Sequence, residues 1–284
     1  MSAAGPPQGD RPLGGAARSA VRGEPTSAPR ADEALDLRRV EEVSLNALQT
    51  PRQLFYDGWL LRVSPGRARR GRSVNAHFGS TLPLAQKIRH CERIYEQRHL
   101  PVLFRMTPFV QPSGLPAALA AEGYEAFDPT LVQAVRLDRP PEPRMLSDVD
   151  IAQPPPAEFA DVLAGLQGST PEQRDAYLER MGAVPLPMRA LVARIDGRPV
   201  AAGTAMLDDG LAGVFSMATA PAQRGRGIAS ALLACLLTWA WEHGAAHAYL
   251  QVDAANAPAL AVYGKFGFAT AYTYHYCGRP GERE

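Results

Sequence analysis

The sequence is short of lysine, of cysteine and of net charge, and each shortage excludes something. Lys87 and Lys265 are the only lysines among 30 basic residues, so arginine carries nearly all the positive charge. In a chain rich in alanine, glycine and proline this reads as compositional bias and not as function. The 29 acidic residues leave a balance of +1, which argues against nucleic acid or a membrane surface as main partner. Cys91, Cys235 and Cys277 are odd in number, widely spaced and free of any CxxC pair. That pattern excludes a disulfide framework and a metal site, and fits free thiols in a reducing cytoplasm. No apolar run reaches the ~18 residues of a membrane span, and the first residues lack the apolar stretch of a signal peptide. The expectation is a soluble, cytoplasmic protein without metal, nucleic-acid or membrane partner, its oligomeric state open.

What is present is length and pattern. With 284 residues the chain can bury two cores. Residues 1–34 are Ala, Gly, Pro, Ser and Arg with little to bury, and are expected to form a disordered tail. Over 35–140 the pattern predicts a turn feeding a strand from Phe55 to Val63, then strand 73–78, helix 84–98, strand 101–106, helix 115–122 and strand 131–137. The loop from Ser64 to Arg72 carries Arg67, Arg69, Arg70 and Arg72; a solvated surface is the simpler expectation, an acidic ligand the sharper one. Residues 141–156, rich in proline and charge, read as a linker with a short strand near 149–152. Helices 157–166 and 171–181 follow, the second with Thr170 as N-cap and Pro171 at its first position. Strands 188–195, 199–207 and 211–219 turn at Asp196-Gly197 and Asp208-Asp209-Gly210, an antiparallel meander.

The segment that organises the chain is Leu211 to Trp241: an apolar strand to Thr219, a stop at Pro221, the run Arg224-Gly225-Arg226-Gly227, and an apolar helix from Ile228. Glycines there let a backbone approach a ligand, and free N–H groups of a helix's first turn suit a phosphate. Arg224 and Arg226 can add charge-assisted hydrogen bonds. No Gly-Lys-Ser/Thr follows, so this is not a nucleotide loop of the Walker type. A dinucleotide fingerprint would need helical crossovers where the meander lies. Ile228, Leu232, Cys235, Leu236 and Trp239 form a helical stripe, and Leu233, Leu237 and Trp241 make the other side apolar too, as in a helix covered on both faces, here by the first half.

Arg224-Gly225-Arg226-Gly227-Ile228-Ala229 resembles the Arg/Gln-x-x-Gly-x-Gly/Ala loop of the GNAT superfamily, the acyl-CoA-dependent N-acyltransferases. Leu250 to Asn256 and Ala261 to Phe268 resemble that superfamily's next strand and its Asn...Tyr-x-x-x-Gly-Phe segment. The order and spacing of the three also match. The resemblance implies an α/β protein of two GNAT-type domains, each a mixed, mostly antiparallel sheet flanked by helices. Residues 157–284 would be the catalytic N-acetyltransferase domain. Residues 35–140 would be a degenerate copy: Val74 falls on Val214 at an offset of 140 residues and Glu96 on Glu242 at an offset of 146. The six residues lost between strand and helix match Ala222 to Gly227.

By the same resemblance acetyl-CoA is the co-substrate and an amine the acceptor. Met217, Ala218 and Thr219 would hold the pantetheine and the acyl carbonyl, Arg224 through Ala229 the pyrophosphate, and Asn256 would reach CoA. Tyr263 would hand a proton to the departing thiolate. The family's usual glutamate base is missing, Phe215 and Ser216 standing nearby, so Asp253, His275 or a water chain are the alternatives. The other readings of Asp253 and Asn256 are helix caps, and of Tyr263 a packed core ring. A CoA-binding sensor without catalysis and, more remotely, an NAD-dependent oxidoreductase remain as alternatives to the transferase.

Overall fold

The computed structural model describes residues 35–142 and 146–281; the tail expected over 1–34 lies outside the described residues. In order they form α1 (Leu37–Asn46), β1 (Gln53–Tyr56), β2 (Trp59–Arg62), β3 (Val74–Asn75), α2 (Leu84–Glu96), β4 (Phe104–Met106), α3 (Leu115–Ala121) and β5 (Glu125–Arg136). After the linker come β6 (Asp150–Ala152), α4 (Pro156–Gln167), α5 (Pro171–Ala183), β7 (Met188–Ile195), β8 (Arg198–Asp208) and β9 (Leu211–Thr219). Then follow α6 (Ile228–Glu242), β10 (His247–Asp253), α7 (Ala257–Gly264) and β11 (Ala269–Gly278).

Local chemistry explains the boundaries. Asp57 and Gly58, both at positive φ, form the expected turn into β2, and a further strand, β1, precedes it to complete a hairpin. Thr170 and Gln173 close a capping box on α5, with Pro171 in its first turn. β5 begins at Glu125, six residues before the sequence pattern shows it, because Asp128 (φ 54) and Pro129 interrupt the alternation. The β5–β11 register slips at this point, which tolerates a proline without an N–H.

The two halves share one sheet of eleven strands, ordered β1-β2-β3-β4-β11-β5-β10-β9-β8-β7-β6. The resemblance implies a mixed sheet in each half, and the structure joins them by exchange. β5 pairs antiparallel with β10 from Arg136↔His247 to Thr130↔Asp253, while β11 pairs with β4. Each half's final strand therefore lies beside the penultimate strand of the other, and β5 and β11 meet in the middle. The parallel pair β3–β4 repeats the parallel pair β9–β10.

α6 packs against β7, β8 and β9. Ile228, Leu232, Leu233, Leu236 and Leu237 are each at most 1% exposed. Burial of such side chains stabilises by about 1.5–3 kcal/mol each. The apolar cluster that holds these side chains also takes in Leu137, Leu146, Val149, Val262 and Phe266, and among the described residues none from the first half's helices. Cys235, expected in the buried stripe, is exposed. The buried face instead takes in Leu233 and Leu237 together with Ile228, Leu232 and Leu236.

Under the middle of the sheet lies a buried polar cluster. Arg105 of β4 forms an ion pair with Glu41 of α1, with Nη2 donating to Oε2 at 3.1 Å, and the Tyr272 hydroxyl donates to the same oxygen at 2.7 Å. Alongside, Tyr274 donates to Gln251, and Gln251 donates to Ser44. α1 is thereby fixed to both halves.

Candidate active site

β9 and β10 run parallel and paired from Leu211↔His247 to Val214↔Leu250, and no further. β8 keeps β9 to Thr219 and β5 keeps β10 to Asp253, so the two strands splay apart from Phe215 and Gln251 onward. A bulge sits at the same place: the β8 register shifts between Thr204↔Phe215 and Ala202↔Ala218, and Ser216 takes φ 56. Gly203 permits it, since a Cβ there would lie 2.4 Å from Met217 Sδ and 3.2 Å from Leu236. Beyond the bulge Met217, Ala218 and Thr219 run half-buried along the open margin.

The loop after β9 leads straight into α6. Gly225 (φ 78) and Gly227 (φ 84) adopt left-handed backbone, and Gly227 is the N-cap of α6 with no side chain capping it. Intrahelical bonding starts with Ala231 N to Gly227 O, so the N–H groups of Ile228, Ala229 and Ser230 lack helical acceptors. They converge at the positive end of a fifteen-residue helix. Arg226 is committed to Asp148 and Gln223. Arg224 is exposed.

Asn256 caps α7, its Oδ1 accepting from Ala259 N at 3.2 Å. Asp253 ends β10, accepts from Ala255 N at 2.8 Å and also faces the cavity described below. Tyr263 is 8% exposed, its ring edge-on to Phe268, and burial pushes its phenol up to about 12. His275 alternates along β11 with Tyr274 and Tyr276; those two line the cavity, so His275 points to the other side of the sheet.

A cavity of about 510 Å³ opens at the splay, between α4 and α5 on one side and the 64–72 loop on the other. Phe215, Ser216, Gln251, Tyr274 and Tyr276 form its inner end. Tyr177 of α5 hydrogen-bonds Ser216 at 2.9 Å between hydroxyls, and burial raises its pKa. The guanidinium of Arg180 lies 4.6 Å from the Tyr177 ring and that of Arg70 5.3 Å from the Phe215 ring. Burial holds Arg180 below its ordinary range, Arg70 adding to the fall against the opposing effect of Tyr177. Arg69 instead pairs with Asp128 at 2.9 Å.

The 64–72 loop, expected as solvated surface, thus contributes a cavity wall. Its density of arginine was the only sequence signal, and nothing in the pattern told which residues face inward. Tyr177 and Arg180 were missed as individuals, although the helix bearing them was anticipated. Gln251, Ser44 and Tyr274 come from three distant segments, and no local pattern joins them.

Residues 159–268 match the sequence profile of the Acetyltransferase (GNAT) family. The chain is similar to the uncharacterized N-acetyltransferase YobR of Bacillus subtilis, 28% identical over 246 residues, 85% of this chain and 98% of that protein. Its fold resembles a GCN5-related N-acetyltransferase from Kribbella flavida, with 20% identity, a TM-score of 0.62, and coverage of 86% of this chain and 95% of that one. It also resembles a tandem GNAT protein from the clavulanic acid biosynthesis pathway, with 15% identity, a TM-score of 0.59, and coverage of 88% and 89%.

Proposed function

With a GNAT-family acetyltransferase domain over residues 159–268 as premise, we propose that this domain moves an acetyl group from acetyl-CoA to a primary amine. The observation that carries the reading is the splay of β9 from β10 beside the uncapped, glycine-cradled N-terminus of α6. A thioester lying along a separated strand can hydrogen-bond the backbone that the neighbouring strand has released. A diphosphate suits the three free N–H groups of the first helical turn. The cavity on the opposite side of the splay offers room for the acceptor.

The chemistry asked of the chain is modest. The amine attacks the acetyl carbonyl carbon; the oxygen gains charge; the C–S bond breaks, and the thiolate leaves with a proton. An N–H from the Met217 to Thr219 backbone is assigned to the oxygen, an interaction worth on the order of 10²–10³ in rate. Tyr263 is assigned to the thiolate: burial keeps its phenol protonated, so it can donate at neutral pH. Asp253, facing the cavity at the end of β10, is assigned as the group that takes the amine's proton, directly or through water. Arg224 through Ala229 and Asn256 are assigned to CoA, with Arg226 leaving Asp148 when phosphate is present.

Residues 35–140 are proposed to be a degenerate copy that walls the acceptor cavity and binds no CoA. The turn before α2 is occupied from within: the Asp57 carboxylate accepts from Thr81 N at 3.0 Å and Leu82 N at 2.9 Å, and pairs with Lys87 at 3.2 Å. Those bonds, Leu82 and Thr81 foremost, hold Asp57 well below the usual carboxylate range. An internal anion thus takes the backbone donors nearest to where a phosphate would need them.

Thiol release from acetyl-CoA across a panel of amines tests the transfer. Tight acetyl-CoA binding with no turnover of any amine would favour a binding protein over a transferase.

A further inference from the structure

The cavity holds more positive charge than it neutralises. Arg67, Arg69, Arg70, Arg174 and Arg180 line it, against Asp128 and Asp253. Arg69 is paired with Asp128, Arg174 with Asp161 and Asp175, and Arg67 donates to Gln167 O at 3.1 Å. The Asp253 carboxylate accepts from Ala255 N. Arg70 and Arg180 remain. Among the described residues neither guanidinium has an ion pair or a hydrogen bond, only the faces of Phe215 and Tyr177, and Arg70 Nη1 is shielded from solvent without any partner.

Half-burying two guanidiniums near each other costs free energy through desolvation and mutual repulsion. Contact with an aromatic face returns only part of that. Such an arrangement is relieved when an anion is taken up between them, and a guanidinium's planar fork matches a carboxylate or a phosphate. The two supporting rings belong to residues beside Ser216, at the point where β9 leaves β10. An anion held there would keep an attached amine close to the splay.

We propose that the acceptor is an amine that also bears an anionic group, and that Arg70 and Arg180 bind that group in the cavity. The proposal rests on the acceptor-cavity reading above. It makes the exchanged halves a joint site, since Arg70 comes from the first and Arg180 from the second.

The test uses the full chain and matched amines: β-alanine against β-alaninamide, and O-phosphoethanolamine against ethanolamine. Thiol release gives kcat/KM for each, while calorimetry titrates succinate and inorganic phosphate into the CoA complex. The anionic member of at least one pair is expected to be preferred about ten- to a hundredfold, the worth of a hydrogen bond to a charged group. Arg70→Gln and Arg180→Gln should each erase the preference, with CoA affinity unchanged and Tm equal to or above wild type. Arg180→Lys should restore part of the preference.

Equal kcat/KM within both pairs together with no uptake of succinate or phosphate overturns the proposal and leaves acetyl transfer standing. Loss of CoA affinity in the glutamine variants overturns it too, by giving the arginines to a CoA phosphate. If no amine turns over, but succinate or phosphate binds and both variants abolish that binding, the anion site stands and the transfer reading falls.

Discussion

The sharpest perturbation is Gly227→Val, because the structure supplies its own control. Gly227 caps α6 at φ 84, and Gly197, in the β7–β8 turn, holds φ 74 with open space for at least 4 Å around the place a Cβ would take. Forcing an L residue into left-handed backbone costs roughly 1–2 kcal/mol at either position. In a chain of this size that lowers Tm by about 2–4 °C per kcal/mol, so both variants should remain folded with similar losses. Only at Gly227 does the side chain also meet the proposed phosphate position. Displacing the diphosphate from two of the three first-turn N–H groups forfeits about 1.5–3 kcal/mol each. The expected loss of CoA affinity is therefore on the order of 10²–10⁴, against none for Gly197→Val. Calorimetric titration with CoA, alongside thermal melts of both variants, reads the two effects separately. Equal CoA affinity in wild type and in folded Gly227→Val would refute the loop as cofactor cradle.

Tyr263→Phe should keep acetyl-CoA affinity within a few-fold and lower turnover by on the order of 10²–10⁴ if the phenol is the acid; an unchanged single-turnover rate would return Tyr263 to the core. Since its pKa is pushed up to about 12, the wild-type pH–rate profile should show no fall from this group between pH 7 and about 10. Glu41→Ala strands Arg105 in the interior and should cost about 3–5 kcal/mol in denaturant unfolding. Burial raises the Glu41 pKa, but Arg105 and Tyr272 outweigh it and leave it lowered, so this stability is complete above the unfolded pKa of about 4.3 and declines as pH falls through the folded value. Melts that do not weaken in wild type relative to Glu41→Ala below that pH would contradict the assignment. Equilibrium dialysis should find one CoA per chain, and two would contradict the occupied turn at Asp57.

What could be read from the sequence was what is local. The α6 loop declared itself through Gly225 and Gly227, whose backbone conformation few other residues adopt, and Thr170-Pro171 marked α5 through its cap. The meander was legible because Asp196-Gly197 and Asp208-Asp209-Gly210 are turn formers between apolar runs. The exchange of β5 and β11 was not, since pairing partners depend on long-range register that period-two patterning leaves unassigned. The cavity chemistry suffered likewise: Arg69 and Arg70 are neighbours in one loop, yet Asp128 neutralises one and only an aromatic ring faces the other. Cys235 shows the limit of a helical stripe: periodicity groups it with Leu232 and Leu236, yet it is exposed while they are buried.

The strand exchange has a consequence for how the protein comes into being on the ribosome. The first half is synthesised with β4 and β5 in hand, but β4's place beside β11 stays open until that strand, the last of the eleven, has emerged. Until then β4 and β5 offer matching unpaired rims, and their mutual pairing is the obvious wrong answer. The nascent chain must therefore postpone its commitment, or undo it, when β11 arrives. Slow, non-local closure of this kind makes a late chain break far more damaging than an equally large break in the linker. Removing β11 would unseal both halves at once, whereas a nick between them would leave two interlocked pieces.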